Sequence, residues 1–126
     1  MNEAVGIRVG AVSVDCPDPV GLAEFYRSAL GLEVMFSSDR FVALKGAGVL
    51  LTFQHVADYV APTWPEGAVA KQIHLELAVA DLDGQEARLL GLGATKADVQ
   101  PNADGWRVLI DPVGHPFCIT TLIPTS

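Results

Sequence analysis

The stretch Gln72-Ile73-His74-Leu75-Glu76-Leu77-Ala78-Val79-Ala80-Asp81 alternates between two kinds of side chain. Ile73, Leu75, Leu77 and Val79 fall on one side of an extended chain, and His74, Glu76 and Ala78 on the other. A period of two is the geometry of a strand, whose successive side chains point to opposite faces. The apolar face suits a core beneath a helix. The other face carries an imidazole and a carboxylate two residues apart, so both point the same way. Such a strand is either the floor of a pocket or the wet face of a half-exposed sheet, and the stretch alone leaves both readings open.

On its C-terminal side, Asp81 reads as an N-cap, and Leu82–Leu92 as a helix that stops at Gly93. The same arrangement stands earlier in the chain. Ile7–Val14 reads as a strand, Asp18 as an N-cap, and Pro19 fits the first helical position, where a missing N–H costs nothing. Leu22, Phe25, Tyr26, Ala29 and Leu30 make an apolar helical stripe that ends at Gly31. Ala11 stands 63 residues before His74, and Asp18 stands 63 before Asp81. Leu30-Gly31-Leu32 likewise matches Leu92-Gly93-Ala94.

Three strand-like runs follow each helix. In the first half they are Glu33–Phe36, Phe41–Lys45 and Val49–Gln54, with a Gly46-Ala47-Gly48 hairpin loop. In the second they are Thr95–Val99, Trp106–Ile110 and Phe117–Leu122. Asp111-Pro112-Val113-Gly114 has Pro second and Gly fourth, as a type I turn favours. The chain therefore reads as βαβββ twice, within one domain. The units cover approximately 5–55 and 71–123, and a loop at 56–70, broken by Pro62, Pro65 and Gly67, joins them. Trp64 in that loop is expected to plug the core rather than meet a ligand.

Composition narrows the function classes. The chain has 126 residues, half of them hydrophobic, and a mean hydropathy of +0.34, which argues against disorder. No apolar run approaches the roughly 20 residues of a membrane span. No charged-then-apolar leader pattern is present, so a cytoplasmic location is expected. A net charge of −7 argues against a nucleic-acid partner, whose phosphates need a basic surface. Cys16 and Cys118 lack metal-type spacing, and there is neither a phosphate-binding glycine loop nor a GxSxG elbow.

Asp18-Pro19…Phe25-Tyr26…Leu30-Gly31-Leu32, then His74…Val79-Ala80-Asp81…Leu92-Gly93-Ala94, then Asp111-Pro112-Val113-Gly114…Phe117 are the pieces that carry a resemblance. In that order and spacing the chain resembles the vicinal oxygen chelate superfamily, which contains glyoxalase I, the bleomycin-resistance proteins and the extradiol dioxygenases. The resemblance covers most of the chain. It implies an α+β fold in which two βαβββ units form cupped mixed sheets with helices outside. It also implies a homodimer.

Metal-dependent members of this superfamily place one ligand on the first strand and one on the last strand of each unit. Carried over, these places fall on Ala11, near Leu51 or Thr52, on His74, and on Cys118, where the family usually has Glu. Thr52 fits the internal repeat better than Leu51. Ala11 cannot bind a metal, and a thiol suits hard cations poorly. The expectation is therefore no catalytic metal and no cofactor, with a zinc held by His74, Glu76 and Cys118 as the alternative. Cys118 otherwise reads as a small buried hydrophobe.

Strand parity extends the candidate site. If His74 and Glu76 face the cup, then Ala11 and Ser13, Thr52 and Gln54, and Cys118 and Thr120 do so from the other strands. Trp106 and Phe53 are candidate aromatic walls, or else core. The expected binding set is Ser13, Thr52, Gln54, His74, Glu76, Trp106 and Cys118. The function implied is a glyoxalase-like protein that binds a small organic molecule without a catalytic metal, as resistance proteins do by sequestering an antibiotic. A charge of −7 is compatible with a cationic ligand such as bleomycin. The alternative is a lyase or isomerase with His74 and Glu76 as base and acid.

Overall fold

The computed structural model describes residues 5–125, and the chain divides into two compact units, Met1–Ala57 and Asp58–Ser126. The first contains β1 (Ala11–Cys16), α1 (Pro19–Leu30), β2 (Glu33–Ser37), β3 (Phe41–Ala47) and β4 (Val49–His55). Its sheet has the order β1-β4-β3-β2, with β1 parallel to β4 and the other pairs antiparallel. The cap residues work as the sequence predicts. The Asp18 carboxylate accepts the Gly21 N–H at 3.1 Å, Pro19 opens the helix, and Gly31 closes it at φ 67°, a left-handed conformation that costs glycine little.

The stripe of α1 buries Leu22, Phe25 and Tyr26. The Tyr26 ring stacks on Phe53 at 5.6 Å between centroids. Val42 pairs with Phe53, and Leu44 with Leu51, so these four buried side chains form the sheet face beneath the helix. Phe53 is thus core and not a pocket wall. Ser13 pairs with Thr52, and Asp15 with Gln54, on the opposite face. There Ser13 and Gln54 are exposed and Thr52 is buried. The first strand starts later than its apolar run. Ile7 and Val9 precede it, 78% and 66% exposed.

The second unit contains β5 (Glu76–Ala78), α2 (Leu82–Leu92), β6 (Thr95–Lys96), β7 (Trp106–Ile110) and β8 (Pro116–Thr120). The order β5-β8-β7-β6, with β5 parallel to β8, repeats the first unit's topology. The central strand is shorter than the alternation predicts. Ile73 is 81% exposed rather than core, and His74 lies before β5. The ladder explains this. Cys118 N–H bonds to the Leu75 carbonyl, and the Val79 N–H to the Thr120 carbonyl, each at 2.9 Å. The next donor along β8 would be residue 116, which is Pro and has no N–H. Nothing on β8 can tie down the Ile73 carbonyl, so pairing stops.

α2 is held differently from α1. Asp81 takes the N-cap position, but its side chain makes no capping bond, and only Leu82 and Leu89 of the helix are buried. Charges supply part of the contact. Arg107 of β7 pairs with Asp83 at 2.8 Å and Glu86 at 3.2 Å, and Lys96 pairs with Glu86 at 3.4 Å. The Asp111–Gly114 turn forms as predicted, with the Gly114 N–H on the Asp111 carbonyl at 3.0 Å. One Asp111 carboxylate oxygen also accepts the Val113 and His115 N–H groups at 3.0 and 2.9 Å, which accounts for a buried carboxylate.

The connecting segment packs with the second unit from Asp58 onward. Tyr59 donates its hydroxyl to the Val113 carbonyl at 3.0 Å, and its ring lies 5.4 Å from the His115 ring. Among the described residues no helix is long and apolar enough to cross a membrane.

Candidate functional site

The face of the second sheet turned from α2 carries the chemistry. Arg107 and Ile119 are register partners, and Arg107 reaches α2, so the residues alternating with them point the other way. Those residues are Trp106 and Val108 on β7 and Cys118 and Thr120 on β8. Glu76 is the register partner of Cys118 on β5 and shares their face. His74, two residues before Glu76, joins it. These side chains line a cavity of about 460 Å³ together with Pro116. Trp64 and Lys71 close it from the preceding segment, and Leu122 and Ile123 from the following one.

His74 and Glu76 are therefore on a pocket wall rather than on a featureless wet sheet. Their side chains remain 31% and 42% exposed, and His74 Nε2 contacts a Glu76 carboxylate oxygen. Cys118 is buried, and neither cysteine is in a disulfide. Burial first, then the charge of Glu76 and a hydrogen bond to it, push the Cys118 thiol from 9.0 up to about 11, against a smaller opposing pull from Lys71. At neutral pH the thiol is protonated, beside its register partner Glu76. The Thr120 hydroxyl donates to the Gly105 carbonyl at 3.2 Å.

The pocket brings together four of the seven predicted binding residues: His74, Glu76, Trp106 and Cys118. Ser13, Thr52 and Gln54 gather on one face of the first unit's sheet and are not among its lining residues. Trp64 is a pocket wall, not the core plug expected of it. Lys71 was missed. Its only sequence signal is a basic residue just before the alternating stretch. Val108 was also missed, although parity with Trp106 places it on the same face.

Residues 11–120 match the family model of the Glyoxalase-like domain. The chain belongs to that family. The strands and helices of both units, from β1 to β8, lie within the matched span, and solved structures of this class share the fold. A glyoxalase/bleomycin resistance protein/dioxygenase family enzyme from Burkholderia phytofirmans PsJN superposes with a TM-score of 0.69 at 20% identity, covering 93% of this chain and 100% of that one. A possible glyoxalase from Bacillus cereus gives 0.68 at 17% identity, with 90% and 98% covered. The bleomycin-binding protein of Streptomyces verticillus, complexed with copper(II)-bleomycin, gives 0.56 at 16% identity, with 90% and 95% covered. No curated protein matches.

The glyoxalase-like fold raises the question of a metal. The register answers part of it. Ser13↔Thr52 in the first unit corresponds to Glu76↔Cys118 in the second, so Thr52, not Leu51, is the counterpart of Cys118. The four ligand places that the resemblance implies then fall on Ala11, Thr52, His74 and Cys118. Ala11 has no donor atom and Thr52 offers a hydroxyl alone, so this set does not fit. The set that converges among the described residues is His74, Glu76 and Cys118, whose donor atoms lie within 4.8 Å of one another. A zinc there would have to displace the thiol proton that burial and Glu76 stabilise.

Proposed function

We propose that this glyoxalase-like protein binds a small organic molecule in the pocket of its second unit, without a catalytic metal. The observation that supports it is the composition of that wall. A largely apolar cavity of about 460 Å³ carries a few convergent polar groups, which is the usual make-up of a small-molecule site. His74, Glu76 and Cys118 supply those groups. The absent donor at Ala11 supports binding over metal chemistry. A bleomycin-binding protein shares the fold, so this architecture is compatible with binding an organic molecule.

One observation favours a second reading, a lyase or isomerase. His74 Nε2 rests on the Glu76 carboxylate at the pocket wall, an arrangement that can pass a proton to or from a bound carbon acid.

A fragment screen by ligand-observed NMR, repeated with His74→Ala, tests the binding reading. Hits are expected to lose affinity in the variant while Tm moves by under about 4 °C, because a half-exposed side chain contributes little packing. Loss of thermal stability with no effect on any hit would make His74 structural and sink the proposal.

We further propose a homodimer. Val34, Met35 and Phe36 on β2 are each about half-exposed, and a second copy would cover such an edge. A clean monomer by sedimentation at micromolar concentration would count against it.

A further inference from the structure

We propose that the pocket of the second unit takes a planar organic anion, its ring against Trp64 and Trp106 and its anionic group at the Lys71 ammonium. The inference rests on the binding reading above and narrows it to a ligand class.

The first observation is that the chain has two tryptophans and both line this one pocket. Each is half-buried rather than sunk in a core. Indole is flat and rigid and offers a π face, and flat rings pair with it in offset or edge-on geometry. The aliphatic side chains of Val108 and Pro116 share the wall with them. A volume of about 460 Å³ lies toward the small end of ligand pockets and suits one or two rings rather than a large glycopeptide.

The second observation is the charge arrangement. Lys71, His74, Glu76 and Cys118 are the ionisable side chains of the wall. The Glu76 carboxylate is already in contact with His74 Nε2. Lys71 has no ion pair among the described residues and is only partly exposed. The Thr120 hydroxyl is already committed to the Gly105 carbonyl. The wall thus carries one carboxylate, already in contact with His74, and one ammonium that has no ion-pair partner among the described residues and stands beside apolar surface. Sugars and other polyols would bury hydroxyls without partners there. A carboxylate on an aromatic body would not.

The net charge of −7 points the other way, toward a cationic ligand. Its field is screened beyond about 8–10 Å at ordinary salt, whereas the Lys71 ammonium acts at contact. The ammonium without an ion-pair partner, rather than the net charge, sets the sign of the group it meets.

The test uses the full chain and three probes of one shape: 2-naphthoate, 2-naphthylmethanol and 2-naphthylmethylammonium, titrated by calorimetry. Naphthoate is expected to bind about ten-fold tighter than the alcohol, the scale of a hydrogen bond to a charged group, and the ammonium weakest. In Lys71→Met, naphthoate should fall to the level of the alcohol while the alcohol is unchanged. Lys71 is on the surface, and a thermal melt confirms that the variant is folded. Equal binding of the three, or preference for the ammonium, overturns the proposal. A naphthoate preference that survives Lys71→Met also overturns it, by removing Lys71 from the site. If none of the three binds, the planar-anion class is wrong. The pocket reading itself is decided separately, by the fragment screen with His74→Ala: it falls if that screen is blank or if its hits are indifferent to the substitution.

Discussion

Alkylation of Cys118 measures directly how the pocket wall is wired. A thiol reacts as its thiolate. With its pKa moved from 9.0 to about 11, Cys118 at pH 8 holds roughly 100-fold less thiolate than an ordinary thiol. Iodoacetamide labelling, read by peptide mass spectrometry so that Cys16 is scored separately, should be slower for Cys118 by about that factor. Its rate should keep rising with pH until near 11 rather than levelling near 9. Burial comes first among the causes, so Glu76→Gln should recover only part of the rate, about ten-fold, by removing the neighbouring charge and its hydrogen bond. Steric shielding would slow labelling at every pH without moving the midpoint, so the pH profile separates the two causes. The same shift links to stability. A raised pKa means the folded state favours the protonated thiol, so its contribution is present below pH 9 and is lost as pH rises through about 11. Urea unfolding across that window should show a loss that Cys118→Ser abolishes. A labelling midpoint near 9, unaffected by Glu76→Gln, would refute the wiring of Glu76 to Cys118 and with it the charge arrangement of the pocket.

Other outcomes follow from the same structure. Protein purified without chelator is expected to carry well under one metal per chain, because Ala11 and Thr52 remove two of the superfamily's four ligand places. Elemental analysis near one zinc, nickel or iron per chain, lost in His74→Ala, would overturn this. Phe53→Ala empties the core beneath α1, where the ring is fully buried against Tyr26, and should cost about 3–5 kcal/mol by urea titration. A loss under about 1 kcal/mol would mean the first unit's core is not packed as described. Gly31→Ala should cost about 1–2 kcal/mol, since a Cβ there meets nothing within 4 Å and only the left-handed backbone resists it. A neutral substitution would mean the helix does not end in that conformation.

Local chemistry made much of the fold legible. Asp18, Pro19 and Gly31 bracket α1 because capping and backbone preference act within one turn of chain. Asp111-Pro112-Val113-Gly114 makes its turn for the same reason. The repeat at 63 residues exposed two βαβββ units, and alternation placed His74, Glu76, Trp106 and Cys118 on one face. Facts that depend on distant residues were not legible. Alternation carried the central strand back to Gln72, but Pro116 on β8 ends the ladder and leaves Ile73 in water. An apolar ring such as Phe53 reads equally as wall or core until α1 lies on it. Trp64 and Lys71 come from an irregular segment whose path no periodicity predicts, and tertiary packing alone puts them on the pocket. The meeting of Glu76 with Cys118 is of the same kind. Each strand's face can be read from its own residues, but the register that sets a carboxylate beside a thiol is a relation between two strands 42 residues apart, decided when they pair.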